Sequence, residues 1–376
     1  MSSSHRIGSA VAGVLLCLVA VPAAAGEALV VARGRGAQEP RQPQAAVDEE
    51  GTIHVAWGSG DRVFHRAARA DASFGDESVL ALAPVMSLGM RRGPRIAASG
   101  GSVCITAIGG ATGKGRDGDV WAARTRDGGR TWSEPVRVNA VEGSAREGLH
   151  GMAAGPDGAM CCVWLDLRNG RTEVMAATSG DGGGTWNPDV LVYRAPEKNV
   201  CECCHPAVVW DGRDDVYVQW RNSVGGNRDM YFARSRDGGR TFGEATKLGS
   251  GSWALAACPM DGGAIAVVDG KLASAWRREK TVYLVEGTGQ EERSLGTGEQ
   301  PWLVATESGP FVAWVESRGG RLRLLEPGAR KPVTLATHAA DPVLAVGRGA
   351  RAPLVAVWEQ RDGDEASVMC QGLGAE

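Results

Sequence analysis

Residues 125–132 read TRDGGRTW, and the octapeptide recurs as SGDGGGTW at residues 179–186 and as SRDGGRTF at residues 235–242. Successive copies begin 54 and 56 residues apart, and a degenerate copy at residues 71–74 lies 56 residues before the first. In each intact copy the Asp can accept backbone N–H groups, the Gly pair supplies positive φ angles, and the terminal aromatic ring can fold back between strands. The octapeptide therefore predicts a hairpin turn repeated at a fixed period. Its aspartates are interpreted as structural and not as catalytic.

A second, longer repeat shares this period. Alternating apolar segments occur seven times, and they end at Trp57, Ile108, Trp164, Trp220, Trp276, Trp314 and Trp358. Each repeat can hold four strands, A to D, in which B ends at the Trp and the octapeptide joins C to D. Four antiparallel strands repeated around an axis predict an all-β protein, a β-propeller with seven blades. The last unit lacks a fourth strand, which residues 28–32 are predicted to supply from the other end of the chain.

The composition agrees with this fold class and excludes others. Gly accounts for 54 of 376 residues, hydrophobic residues for 43% and charged residues for 23%. The chain is too apolar for disorder, and its many glycines favour short strands with tight turns over a helical bundle. The formal net charge is −3 with no long run of either sign, so nucleic acid is not an expected partner.

The first 25 residues have the pattern of a secretory signal: Arg6 supplies a positive charge, an apolar stretch follows, and a small-x-small cleavage site precedes Gly26. We therefore expect an exported protein, periplasmic or extracellular, in which residues 26–376 form one domain and act as a monomer. No later segment has about 18 unbroken apolar residues, so no membrane span is predicted. Removal of Cys17 leaves eight cysteines, for which an oxidising compartment favours disulfides.

The motif Ser/Thr-x-Asp-x-Gly-x-Thr-Trp/Phe is the Asp box, also called the bacterial neuraminidase repeat. With three intact copies, the chain resembles the sialidase-like β-propeller superfamily. The resemblance implies a propeller whose members include sialidases, other glycosidases and binding proteins without catalytic activity. Sialidases have six blades, so six blades stand as the alternative to the seven counted from the repeat.

Because the strands of a blade alternate in direction, the loops are sorted to two ends of the propeller. The A–B and C–D turns, including the Asp boxes, share one end, which we call the Asp-box end. The B–C and D–A loops share the other, which we call the thiol end because it contains the cysteine-rich loop described below.

At the thiol end, the resemblance implies an Arg that clamps a substrate carboxylate, and Arg41, two residues before Pro43, is the candidate. Asp61 is the candidate general acid and Glu316 a partner carboxylate. The family also uses a Tyr nucleophile, but all four tyrosines of this chain lie in predicted strands. Sialidase chemistry is therefore not supported by these residues.

The most unusual local sequence is CECCHP at residues 201–206. Cys258 and Met260 occupy the equivalent loop of the next blade, so the two loops should be neighbours. The pattern resembles a subset of secreted sialidase-like propeller proteins.

Two interpretations remain open for this cluster. One is a pair of disulfides, for example Cys258 with a cysteine of the cluster and another cluster cysteine with Cys161. The other is a soft-metal site for Cu(I) or Zn(II). Its candidate ligands are Cys201, Cys203, Cys204, His205, Cys258 and Met260.

These observations predict an exported ligand-binding propeller with a cysteine-rich site at the channel mouth, with or without a bound soft metal. Its ligand would be a small molecule, a glycan or a metal ion. An exo-α-sialidase acting on acidic glycans is the alternative activity. In a third interpretation the propeller is a scaffold that docks a protein partner, and the cysteines form only structural disulfides.

Overall fold

The structure, a computed structural model, describes residues 26–69, 73–113, 115–197, 199–268, 270–289, 291–348 and 352–374. The predicted signal at residues 1–25 lies outside the described residues, as do two positions of the degenerate octapeptide. Within the described ranges the only helical element is the 3-10 turn Gly36–Gln38, and no helix is long and apolar enough to cross a membrane.

The remaining elements are strands. In chain order they are β1 (Leu29–Arg35), β2 (Arg41–Val47), β3 (Thr52–Ser59), β4 (Arg62–Arg69), β5 (Ser78–Leu80), β6 (Val85–Met86), β7 (Arg95–Ser99), β8 (Ser102–Gly110), β9 (Asp119–Thr125), β10 (Val136–Arg137), β11 (His150–Ala154), β12 (Met160–Asp166), β13 (Glu173–Ser179), β14 (Val190–Tyr193), β15 (Ala207–Asp211), β16 (Asp215–Arg221), β17 (Met230–Ser235), β18 (Thr246–Lys247), β19 (Ala264–Val268), β20 (Lys271–Arg278), β21 (Thr281–Glu286), β22 (Arg293–Thr297), β23 (Glu299–Thr306), β24 (Gly309–Val315), β25 (Gly320–Leu325), β26 (Val333–Val346), β27 (Leu354–Asp362) and β28 (Glu365–Gly372).

Antiparallel pairing groups these strands into blades. Four sheets contain four strands each, β2 to β5, β11 to β14, β15 to β18 and β19 to β22. A fifth sheet contains β7 to β10, with the short β6 paired to the end of β8. The remaining sheet has seven strands because β26 pairs with β25 through its first half and with β27 through its second half. The long strand thus belongs to two blades, and the β-propeller predicted from the repeat is confirmed.

The first strands of the blades surround a central channel. They are β2, β7, β11, β15, β19, β23 and the second half of β26; each contacts the next, and β26 contacts β2. Their side chains enclose a volume of about 480 Å³. The channel wall is mostly small and apolar, but Arg95 and His205 also line it.

The ring is closed by the N-terminal strand. β1 pairs antiparallel with β28 from Leu29 opposite Cys370 to Arg35 opposite Glu365. The predicted supply of a fourth strand to the last blade is therefore correct. Sheet closure of this kind protects strand edges that would otherwise pair with other chains.

The tryptophans of the longer repeat form the packing between blades. Trp164, Trp220, Trp314 and Trp358 are all fully buried in inter-strand clusters. Their regular spacing in the chain therefore reflects one core position repeated from blade to blade. Each buries a large apolar surface, which is the main favourable contribution to folding.

Each Asp box closes its turn as the sequence predicts. In the third box, Asp237 Oδ1 accepts hydrogen bonds from the backbone N–H groups of Arg240 and Thr241 at 3.0 and 2.9 Å, and Oδ2 accepts the Thr241 hydroxyl at 2.6 Å. The Thr241 and Ser235 hydroxyls lower the pKa of Asp237 to about 2. The carboxylate is therefore a structural element of the turn.

The glycines of the box are required by close packing. Gly129 in the first box has a φ of 97°, and a Cβ there would overlap the buried ring of His65. In the third box, Gly238 N donates to Asp214 O at 2.8 Å in the A–B turn of the same blade. The Asp boxes and the A–B turns therefore share one end, as strand direction requires.

Candidate functional site

The cysteine-rich loop lies at the other end of the same blade. Asp214 and the Asp box are beside the start of β16, whereas Arg221, at the far end of β16, accepts a 3.0 Å hydrogen bond from Cys201 N through its backbone carbonyl. The thiol end and the Asp-box end are thus opposite, as predicted. The loop connects β14 to β15, and the loop with Cys258 connects β18 to β19.

Three thiols form a compact group. Cys201 Sγ lies 3.7 Å from Cys203 Sγ and 3.5 Å from Cys204 Sγ, and all three sulfur atoms lie within 4.8 Å of one another. Cys201 and Cys204 are 1% exposed and Cys203 is half-buried. The thiol of the exposed Cys258 lies close enough to Cys203 to raise the pKa of the Cys203 thiol. The predicted proximity of the two loops is therefore observed.

Burial and mutual hydrogen bonding hold these thiols in the protonated form. The bond with Cys203, and then burial, raises the pKa of Cys201 to about 11, although the bond with Cys204 acts in the opposite direction. Burial raises the pKa of Cys204 to about 12. Arg221 acts against both increases because its positive charge favours thiolate. A metal ion would have to displace these protons.

Arg221 fastens the two loops together. Its guanidinium is 1% exposed and donates to the carbonyls of Asp261 at 3.0 and 3.1 Å, Arg228 at 2.6 Å and Arg277 at 2.9 Å. The guanidinium also lies over the indole ring of Trp253, with Arg221 Cζ 5.4 Å from the ring centre. The side chain is thus fixed between the two cysteine-bearing loops.

Of the remaining predicted ligands, His205 lies outside the compact thiol group. His205 is buried and lines the channel, and its ring abuts Gly262, where a side chain would collide with it. In the described part of the chain neither ring nitrogen makes a hydrogen bond of normal geometry. Burial, with Arg91 and Arg95 nearby, lowers the pKa of His205 well below its ordinary value, so the ring is neutral. Met260 is 42% exposed with a φ of 54°.

The eight cysteines of the described residues are all unpaired. Cys161 and Cys162 pack in different clusters on the two faces of β12. The Cys161 thiol lies near Gly239 of the third Asp box, at the opposite end from Cys201. The suggested disulfide between the cluster and Cys161 is therefore wrong, because the blade length separates them.

The candidate catalytic residues predicted from the sequence have local partners and are not in contact with one another. Arg41 is half-exposed and pairs with Glu39 at 2.7 Å. Asp61 Oδ1 accepts the backbone N–H of Met86 at 3.0 Å. Glu316 pairs with Arg321 at 2.8 Å.

A different set of carboxylates meets at the mouth of the channel. Arg318 Nη2 lies 3.1 Å from Asp341 Oδ2 and 3.5 Å from Glu359 Oε2. Burial, and then the charge of Asp341, raises the pKa of Glu359 to about 7. Sequence reasoning missed this pair.

A hydrogen-bond chain extends from Asp341 towards the thiol group. Gln300 donates to Asp341 Oδ1 from its side chain at 2.9 Å and to Asp261 Oδ2 from its backbone N–H at 2.8 Å. Asp341 and Gln300 each directly precede the proline that begins a repeat, and Asp261 directly precedes the equivalent Gly262. Their shared place, one residue before the start of a repeat, is the feature of the sequence from which these residues could have been predicted.

The fold and its repeated turns place the chain in the sialidase-like β-propeller superfamily. Residues 105–295, about half of the chain, match the BNR repeat-like domain. The chain belongs to this family. A search of curated proteins finds no match.

Solved structures with the same fold are distant in sequence. Trypanosoma rangeli sialidase in complex with sialic acid aligns at 13% identity with a TM-score of 0.50, over 92% of this chain and 59% of that one. Penicillium chrysogenum alpha-L-arabinanase complexed with arabinobiose aligns at 12% identity and a TM-score of 0.49, over 93% and 99%. Hadza microbial sialidase aligns at 15% identity and 0.49, over 74% and 65%. This chain thus covers less than two thirds of either sialidase, and the likeness concerns the fold.

Proposed function

We propose that this protein is an exported propeller that binds a soft metal ion, Cu(I) or Zn(II), through Cys201, Cys203 and Cys204. The observation that carries the proposal is the spacing of the sulfur atoms, 3.5 and 3.7 Å for the two pairs that include Cys201. Zn–S bonds of about 2.3 Å in tetrahedral geometry separate two sulfur ligands by about 3.8 Å. The thiols are therefore already close to the spacing that a shared ion requires.

The charge around the cluster also supports the proposal. Within the described residues Arg221 has no carboxylate partner, and its hydrogen bonds go to backbone carbonyls. A buried charge without a counter-ion is costly. Three thiolates around a monovalent or divalent ion carry net negative charge, which would compensate this guanidinium. Soft thiolate ligands select Cu(I) and Zn(II) over Mg²⁺ or Ca²⁺.

The test is metal loading of the mature chain, purified under anaerobic, reducing conditions. We expect about one equivalent of Cu(I) or Zn(II) per chain, and less than about a tenth of that in the triple variant Cys201→Ser, Cys203→Ser, Cys204→Ser. Cys104→Ala is the matched control, because it removes a buried thiol near the Asp-box end. Wild-type protein that has reduced thiols and takes up neither ion would contradict the proposal, and the scaffold interpretation would then gain support.

A second candidate function is glycoside hydrolysis, and the pair Asp341 and Glu359 favours it. A general acid needs a carboxyl that stays protonated near neutral pH, and the pKa of Glu359 is raised to about 7. Two carboxyl groups at one site are the usual requirement of glycosidases.

Fluorogenic α-sialosides and α-L-arabinofuranosides test this second function. We expect any turnover to be lost in Glu359→Gln. If turnover falls instead in Asp61→Asn while Glu359→Gln stays active, the acid predicted from the sequence replaces Glu359, and a loss in Arg41→Ala would support the predicted carboxylate clamp. If neither substrate class is hydrolysed, this second candidate function is ruled out.

Export is proposed from the signal pattern of residues 1–25. Amino-terminal sequencing of the secreted or periplasmic protein should begin near Gly26. An intact amino terminus recovered only from the cytoplasm would contradict export.

A further inference from the structure

The four thiols of the two loops range from exposed to solvent to fully buried. Cys258 is exposed, Cys203 is half-buried, and Cys201 and Cys204 are buried. Cys258 is near Cys203 on the neighbouring loop, and Cys203 lies within 4.8 Å of the two buried thiols. A continuous path of sulfur atoms thus leads from the surface to the interior.

We propose that Cys258 is the uptake ligand of the thiol site: it takes a soft metal ion from a donor in solution and passes it through Cys203 to Cys201 and Cys204. This inference rests on the proposed metal binding. It assigns Cys258 a role in the rate of uptake and not in the final coordination, because its sulfur lies outside the compact group of three.

The loop that carries Cys258 is held in a fixed position. Arg277 Nη2 donates to Pro259 O at 2.7 Å, and Arg221 donates twice to Asp261 O. Both arginines stack on Trp253. The exposed sulfur atoms of Cys258 and Met260 are therefore displayed at the surface by a braced loop.

The segment that carries Cys258 supplies sulfur ligands and no carboxylate of its own, and the carboxylates that bond to it, Asp229 and Glu292, accept from Trp253 N and Gly251 N. Residues 249–260 contain no Asp, Glu, Lys or Arg, so Cys258 is the only ionisable side chain of this segment. Hard cations such as Mg²⁺ and Ca²⁺ prefer carboxylate oxygen ligands, and no side chain of this segment has a carboxylate. The exposed thioether of Met260 adds a second soft ligand two residues away.

The transfer is a sequence of ligand exchanges without a change of oxidation state. The Cys258 sulfur forms a bond to the ion and releases its thiol proton to water, and one donor–metal bond breaks. Cys203 then binds in the same way and the remaining donor ligand leaves. When Cys201 and Cys204 bind and release their protons, the Cys258 bond breaks and that sulfur regains a proton.

The experiment follows transfer of Cu(I) from its bicinchoninate complex to the reduced chain by stopped-flow absorbance, and measures Kd by competition at equilibrium. For Cys258→Ser we expect transfer about tenfold slower with Kd changed by less than about threefold. Cys204→Ser should instead raise Kd by at least about tenfold. Met260→Leu keeps the size and apolar character of the side chain and should slow transfer by about twofold.

Each outcome decides between the two proposals. If wild-type protein takes no Cu(I), the proposed function and this inference both fail. If it takes Cu(I) and Cys258→Ser transfers at the wild-type rate, only the uptake role is overturned. A Kd for Cys258→Ser raised as much as that of Cys204→Ser also overturns it, because Cys258 would then be a permanent ligand.

Discussion

At the Asp-box end, the carboxylate of Asp237 accepts four hydrogen bonds from its own turn. At the thiol end, the buried carboxylate of Asp261 leaves Oδ1 without a partner, and Gln42 Nε2 and Arg91 Nη2 are also unpaired among the described residues. Buried polar groups are normally satisfied, so unpaired groups need an explanation. The contrast between these two carboxylates indicates that Asp237 is fully used by its own turn, whereas Asp261 keeps a buried acceptor oxygen that a ligand can use.

The largest expected effect follows from replacing Arg221, which joins the two cysteine-bearing loops. Arg221→Met should lower the free energy of unfolding by about 3 kcal/mol, because one buried and two half-buried carbonyls lose their donor. It should also weaken metal binding. Urea denaturation and metal competition measure the two effects.

Arg234→Met is the matched control at the Asp-box end, where Arg234 pairs with Asp215 and stacks on Tyr217. A half-exposed ion pair of this kind contributes about 1 kcal/mol or less. Equal losses in the two variants would show that the ends do not differ in the way inferred here.

The second effect is an opposite response of the two ends to pH. The pKa of Glu359 is raised to about 7, so the folded state binds the proton more tightly than the unfolded state does. The stability contributed by this group is present below the unfolded pKa near 4.5 and is lost as pH rises through 7. At the Asp-box end the pKa of Asp237 is lowered to about 2, so its contribution is present above pH 4 and is lost as pH falls towards 2.

Unfolding in urea at pH 5 and pH 8 measures this difference. Wild-type protein should lose about 1–2 kcal/mol more between these pH values than Glu359→Gln does. An identical pH dependence in the two proteins would contradict the raised pKa.

The smallest effect is expected at a single Asp box. Asp237→Ala should lower the free energy of unfolding by about 1 kcal/mol, because the lost hydrogen bonds belong to an exposed turn. Metal binding should be unchanged. Thermal unfolding and metal loading test this, with Asp237→Asn as the variant that keeps one acceptor oxygen. A loss of metal in Asp237→Ala would link the two ends, which their separation does not predict.

Much of the fold could be predicted because its determinants are local and periodic. An Asp box satisfies its own hydrogen bonds, and each repeated Trp occupies the same core position, so a spacing of 54 to 56 residues specifies a blade. Strand alternation then assigned every loop to an end. The proximity of Cys203 and Cys258 followed from topology alone.

The site was predicted only in part, because its remaining features depend on side-chain direction and on contacts between residues far apart in the sequence. The sequence places His205 next to Cys204, yet the ring turns to the channel beside Gly262. Asp341 and Glu359 come together because β26 pairs with β27, with Ala340 opposite Glu359, and Arg318 approaches both carboxylates. Loop carboxylates such as Asp61 and Glu316 were easier to identify from the sequence, but each already bonds to a neighbouring residue.

The continuous strand β26 has a consequence for engineering. Gly26 N donates to Gly372 O at 3.1 Å, so the two ends of the described chain are adjacent and a short linker could join them. New termini placed in a loop between two separate sheets would leave all hydrogen-bonded ladders intact. A break within β26 would instead disrupt two blades at once, so we expect circular permutants opened there to be the ones that fail to fold.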